Sequence, residues 1–325
     1  MCCAATHLDN RALYTRARPF HSSLRAMTAT SSSALLPWAD VFTFNGEAEM
    51  LRYRLALHSS FVTASVIIES NVTFTGRQKR PSQLASRILT DAERRRWNVD
   101  IAQVPLSEEI RTSLNPWKKE FAARRFATSV IAQRFPRHRV YHSDVDELLD
   151  PAAMHSLEVT TCIAPRLRFY YYSEHCPVYN ETWAGAIIVN TATKWFVDRA
   201  RGTPPVMMRA HPGTDLSHAR KACAISDRLL GWHMSFAMAS DAILQKLRSY
   251  SHAHYAGAVT RQANPSAFID AKVRACADIL GRLDVGPIDG AYDGRLPPLP
   301  GWPTHPSAPR DDAMKAARMR LRSEA

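Results

Sequence analysis

What the 325-residue chain lacks narrows its reading first. No window of about eighteen consecutive apolar residues occurs, so no transmembrane helix is legible. None of the six cysteines (Cys2, Cys3, Cys162, Cys176, Cys223 and Cys276) forms a Cys-x-x-Cys pair, which argues against a structural zinc site. Cys162 and Cys176 could bridge in a secretory chain, but two buried thiols are the expected outcome. Acidic residues are in deficit, 30 against 42 Lys and Arg, for a formal charge of +12. Such an excess points to an anionic partner: nucleic acid, a phospholipid surface or a polyphosphorylated substrate. Nucleic acid is set aside, because the basic residues are dispersed and no interleaved aromatic and basic motif is present. Residues 1–36 hold a single acid, Asp9, and no apolar central region. That segment resembles an organelle transit peptide or a disordered leader more than a signal peptide. No internal repeat is visible.

What remains is ample. Hydrophobic residues make up 46% of the chain and charged ones 22%, enough for one large α/β domain or two modest ones. Order is expected from Trp38. Ala39 to Phe44 reads as a strand, Glu47 to His58 carries apolar residues at helical spacing, and Phe61 to Ile68 is a β-branched run covered on both faces. Strand, helix, strand opens a βαβ unit. A strand at Asp100 to Leu106 follows, then a helix entered through Pro116, then a short strand from Arg139 to Ser143. Later strands are read at Leu167 to Tyr172, Ala186 to Val189 and Trp232 to Phe236. Helices are read after Asp241, as its cap, and from Ala267 to Leu280. The expected organisation is a leader at 1–37, a catalytic domain at 38–283 and a Pro-rich, then basic, tail at 284–325.

The strand at Arg139 to Ser143 ends on Asp144-Val145-Asp146-Glu147. Two carboxylates one residue apart at a strand's carboxyl end can face one oxygen-loving cation, Mn2+ or Mg2+. The pair by itself reads more readily as an acidic cap for a following helix. Asn71-Val72-Thr73 and Asn180-Glu181-Thr182 are sequons.

Longer patterns carry more information. Val66 to Gly76 ends in Glu69-Ser70-Asn71-Val72-Thr73-Phe74-Thr75-Gly76, after Phe44-Asn45-Gly46-Glu47 and Arg54-Leu55. Trp117-Lys118-Lys119-Glu120 precedes Arg124 and Arg125; Ser143-Asp144-Val145-Asp146-Glu147 comes next; Gly231-Trp232-His233-Met234-Ser235-Phe236, Lys246 and Ser249 to His252 close the series. In this order, from about Phe42 to Tyr255, the blocks resemble glycosyltransferase family 17, whose best-known members are the bisecting N-acetylglucosaminyltransferases. Leu148-Leu149, Gly46, Leu230 and His254 depart from the family's usual residues.

The resemblance implies a GT-A type fold, a mixed central sheet flanked by helices, and an inverting, metal-dependent enzyme. The implied donor is UDP-N-acetylglucosamine with Mn2+ or Mg2+, the implied acceptor a mannose of a glycoprotein N-glycan. Metal ligands would be Asp144, Asp146 and His233, with His252 as the competing histidine. Glu69, Asn71 and Trp232 would meet the donor. Asp227, Glu181 and Glu147 are the candidate general bases, in that order. Phe169 to Tyr172 and Trp183 could stack on sugar rings or simply pack the core. Family members work in the Golgi as membrane-anchored enzymes, so the resemblance implies a secretory location and membrane association. The departures at Leu230 and His254 support a second reading, a silent relative that only binds a sugar nucleotide or glycan.

Overall fold

A computed structural model describes residues 36–201, 223–283 and 285–286. Apart from residues 36, 37, 285 and 286, the expected leader and tail lie outside these residues. The strands are β1 (Trp38–Thr43), β2 (Val62–Glu69), β3 (Val99–Gln103), β4 (Arg139–Asp144), β5 (Glu147–Leu149), β6 (Cys162–Tyr171), β7 (Pro177–Trp183), β8 (Ile187–Asn190) and β9 (Ala224–Ser235). The helices are α1 (Ala48–His58), α2 (Ala85–Ile88), α3 (Asp91–Arg96), α4 (Glu108–Thr112), α5 (Pro116–Arg134), α6 (Pro151–Met154), α7 (Lys194–Arg201), α8 (Ser240–Ser249), α9 (Ala256–Thr260) and α10 (Pro265–Arg274). The strands join in one mixed sheet, ordered β3-β2-β1-β4-β8-β6-β9-β5, with β7 paired to β6. The expected mixed sheet flanked by helices is the architecture found.

Its two halves differ in direction. β1, β2, β3 and β4 are mutually parallel, whereas β8 meets both β4 and β6 antiparallel. β1 is buried along its whole length, as a central strand covered on both faces must be. Its successive residues part company: Val41 packs with Ala127 and Ile131 of α5, and Phe42 packs with Met50, Leu51 and Leu55 of α1. α5 starts where Asn115 accepts the Trp117 N–H and Pro116 takes the first turn. Both parallel strands at the centre end together, with Thr43 of β1 beside Asp144 of β4.

In the other half β6 runs parallel to β9 and antiparallel to β7. The three-residue β5 pairs with β9 so that Glu147 lies opposite His233 and Leu149 opposite Gly231. A Cβ on Gly231 would stand 1.9 Å from the Leu148 carbonyl oxygen, so only glycine allows this approach. α8 and α10 cover the end of this half through Ile243, Leu247, Ile269 and Val273.

Several local expectations are corrected. Asp144 and Asp146 lead into β5, not into a helix, so they cap nothing. Helix α8 starts after Ala239 instead of after Asp241. The last helix is shorter than expected, running from an Asn264 cap to Arg274, where Cys276 turns the chain at φ 45°. The four cysteines among the described residues are not thiols: Cys162 bonds Cys223 and Cys176 bonds Cys276, with Cα separations of 5.0 and 5.2 Å. Sequence reasoning weighed Cys162 against Cys176, but the partners stand 61 and 100 residues away.

Candidate active site

The carboxyl ends of β1 and β4 open into a cleft of about 570 Å³. Its walls come from both halves of the sheet: α5 contributes Trp117, Phe121 and Arg124, β6 and β9 contribute Phe169 and His233, and α8 contributes Lys246. Open α/β sheets bind ligands at this end of the strands, because loops diverge there and leave room.

Asp144 and Asp146 sit on the floor. Asp144 is half-buried; its carboxylate accepts from the Thr43 hydroxyl and has Arg124 at 3.9 Å. Asp146 is buried, with Lys246 Nζ donating to its Oδ2 at 2.8 Å and His233 Nε2 at 3.8 Å from Oδ1. Burial alone would raise the Asp146 pKa; Lys246, and then His233, outweigh it, so the carboxyl is held below its ordinary value. Lys246 also reaches Glu47 at 3.1 Å. Burial would lower its pKa, yet Asp146 and Glu47 together raise it, so the ammonium keeps its charge.

His233 is fixed by aromatic neighbours. It stacks on Phe169 with ring centres 4.6 Å apart and planes 14° off parallel, and Trp183 tilts against it at 4.1 Å. His252 is also on the cleft wall, but packs edge-on against Trp117 at 4.7 Å. Of the two histidines, His233 is the one facing Asp146.

A buried guanidinium shapes the acidic turn. Arg54 is completely buried on α1, and its five N–H groups are all engaged. Two arms grip Asp40 at 2.9 and 2.6 Å, one bonds Ser143 Oγ at 2.7 Å, and the rest reach the carbonyls of Asp144 at 2.7 Å and Glu147 at 2.6 Å. His58 closes the cluster: Nδ1 lies 2.8 Å from Asp40, and Nε2 accepts the Leu149 N–H at 3.0 Å. Glu147 works from the far side, accepting the Asp144 N–H at 2.8 Å and the Trp183 indole N–H. Arg54 and Glu147 therefore grip the Ser143–Glu147 turn from two sides.

The remaining expected residues are less central. Glu69 is buried and outside the cleft wall, accepting from the Ala85 N–H at 2.7 Å and from Gln103 at 3.1 Å. Burial raises its pKa, and the Ala85 N–H and Lys79 offset part of that rise. Asn71 is exposed, and its carbonyl accepts the Lys79 N–H at 2.8 Å. The segment it opens docks on α8, where Thr75 donates to the Arg248 carbonyl at 3.0 Å, and Phe74 of that segment lines the cleft. Trp232 is buried with Phe42, Leu51 and Met234, on the sheet face opposite His233. Asp227 and Glu181 are exposed and outside the cleft wall. In the aromatic run, Phe169 and Tyr171 line the cleft with Trp183, whereas Tyr170 and Tyr172 pack in the core.

The donor set suits a hard divalent cation: two carboxylates and one imidazole, rich in oxygen. Among the described residues no three His, Cys, Asp or Glu side chains already converge as a metal site. That arrangement fits a cation taking one or two carboxylates from the protein and its other ligands from substrate phosphates.

A family model described as Glycosyltransferase family 17 matches residues 36–207, just over half of the chain. No curated protein matches. One solved structure, titled "WbbM bifunctional glycosytransferase apo structure", is 14% identical with a TM-score of 0.28, over 66% of this chain and 41% of that one. This chain thus spans less than half the length of that relative.

Proposed function

The chain belongs to glycosyltransferase family 17, and from that premise we propose that it transfers N-acetylglucosamine from UDP-N-acetylglucosamine to a mannose of a glycoprotein N-glycan. The observation that carries this reading is the cleft floor, where Asp146 and His233 face each other two residues from Asp144. Asp144, Asp146 and His233 would hold Mn2+ or Mg2+. The cation supplies positive charge against the departing diphosphate.

The chain's own residues do the rest. Arg124 and Lys246 add positive charge beside the same floor, where a leaving diphosphate gathers negative charge. Phe169 and Trp183 hold the His233 ring in one orientation and give sugar rings an apolar wall. Glu147 is the one expected base near the cleft. Two N–H bonds to its carboxylate favour the role of holding the acidic turn against the Trp183 wall. Glu69 ties the end of its strand to the Ala85 N–H and Gln103, and Trp232 packs behind the strand that carries His233.

A secretory location is supported by the two disulfides, which persist in oxidising compartments. No helix among the described residues is long and apolar enough to cross a membrane.

The test is transfer of radiolabelled N-acetylglucosamine from its UDP donor to a mannose-terminated N-glycan, with Mn2+, with chelator, and in Asp146→Ala. Transfer that needs the cation and vanishes in the variant supports the proposal. Equal inertness of wild type and variant, with retained UDP binding, would favour the silent binding relative.

A further inference from the structure

The cation closest to Asp146 is the protein's own. Lys246 Nζ lies 2.8 Å from Asp146 Oδ2 and 3.1 Å from Glu47, on a side chain only 16% exposed. It arrives from α8, one hundred residues further along the chain. The shape of the turn does not depend on it, since the turn's backbone is already gripped by Arg54 and Glu147.

We infer that Lys246 is a built-in competitor of the divalent cation, an ammonium that occupies Asp146 until a metal and a diphosphate arrive together. Asp146 is buried, so its charge needs a partner in every state. A metal ion entering alone must displace the ammonium and leave Lys246 with Glu47 as its remaining carboxylate. A diphosphate brought in with the metal offers the displaced ammonium a new anionic partner. The two ligands then help each other bind, and by reciprocity each raises the other's affinity equally. The arrangement discourages the acidic floor from loading bare metal and ties metal occupancy to the presence of donor.

The inference rests on the cation reading above, and the two can fail separately. Chelator-resistant transfer would sink that reading. The competition is judged by binding alone, through Mn2+ titration followed by electron paramagnetic resonance, with and without UDP. Wild type should bind Mn2+ weakly alone and about tenfold more tightly with UDP. Lys246→Met should bind Mn2+ alone about tenfold more tightly than wild type and lose most of the UDP enhancement. Lys246→Arg should stay close to wild type. Lys246→Met binding Mn2+ no better than wild type, or neither protein binding it, overturns the inference. A second measurement needs no variant: acetylation of Lys246 in wild type, mapped by mass spectrometry. Labelling should rise when Mn2+ and UDP are added together. Labelling that stays level or falls counts against displacement.

Discussion

Two charged clusters lie on either side of the Ser143–Glu147 turn, and they are built on opposite principles. Asp40, Arg54 and His58 are wholly buried, and their charged and polar atoms find their partners within the cluster and the turn. Asp146, Lys246 and Glu47 carry charges of the same two signs, but line an open cleft with His233 at 3.8 Å in reserve. The sealed cluster offers no place for a ligand, so it can only hold shape. The open one is incompletely enclosed, so its pairings can be exchanged. Rigid positioning and exchangeable charge are thus separated by one short turn, and the same residues, 143 to 147, belong to both.

The sharpest way to break the comparison is to open the sealed cluster. Arg54→Met strands the buried Asp40 carboxylate and releases the carbonyls of Asp144 and Glu147, which should cost about 3–5 kcal/mol. Urea denaturation measures this; a loss below about 1 kcal/mol would remove the claim that this cluster holds the turn.

The matching change in the open cluster should act in the opposite way. Asp146→Asn is expected to lower kcat/KM for transfer by more than about 100-fold, beyond the loss of an outer-shell contact. Its midpoint in urea should barely move, because Lys246 keeps Glu47. A large stability loss with activity retained would reverse the two assignments.

Glu147 stands between the clusters and should show both effects in smaller measure. Gln has one carbonyl oxygen for two N–H donors, so Glu147→Gln should leave one of them without an acceptor, at about 1–3 kcal/mol. Near-ultraviolet circular dichroism should show Trp183 loosened.

The smallest effect is in pH. Burial would raise the Asp40 pKa, but Arg54 and His58 hold it far below the usual carboxylate range. Its stabilisation is therefore complete above about pH 4 and is lost as pH falls below that. Burial depresses His58 below 6.5, with Asp40 opposing only in part. Its share is complete above about pH 6.5 and shrinks as the unfolded chain takes up a proton that the folded chain refuses. Both groups make acid destabilising. In His58→Gln the decline between about pH 6.5 and 4.5 should flatten, and thermal melts across that range would show it. An unchanged slope would mean His58 carries none of it.

How much of this was legible in the sequence follows from what local patterns can encode. The parallel half was readable because β1 and β2 are apolar or β-branched runs and the long helix α5 carries its own start signal at Asn115-Pro116. Asp144 and Asp146 stand out in the sequence because a strand's end is a local property, and both line the cleft there. Lys246, which pairs with Asp146 across one hundred residues, was legible as part of a pattern but not as a partner. Trp232 and His233 show a signal that was present and unused. Neighbours on one strand face opposite ways, so only one of them could reach the cleft. Asp227 was ranked as a base because it precedes His233 by only six residues. On a continuous strand six residues span roughly 20 Å, which carries it out of reach. β5 has three residues and β7 ends in a loop-like sequence; strands of this kind exist only through the neighbours they pair with.

The cysteines divide the sheet more sharply than its topology does. From Trp38 through Asp144 there is no cysteine at all, while Cys162–Cys223 clamps the parallel pair β6 and β9, and Cys176–Cys276 ties that sheet edge to the end of α10. Maturation of the molecule is therefore asymmetric. Both covalent ties lie in the stretch of chain that brings His233 and Lys246 to the acidic turn, and each closes only when a pair of thiols gives up its hydrogens. A chain held reduced would keep the carboxylates of the cleft and lose both covalent ties around the groups facing them, a difference set by the redox state of the compartment in which the chain folds.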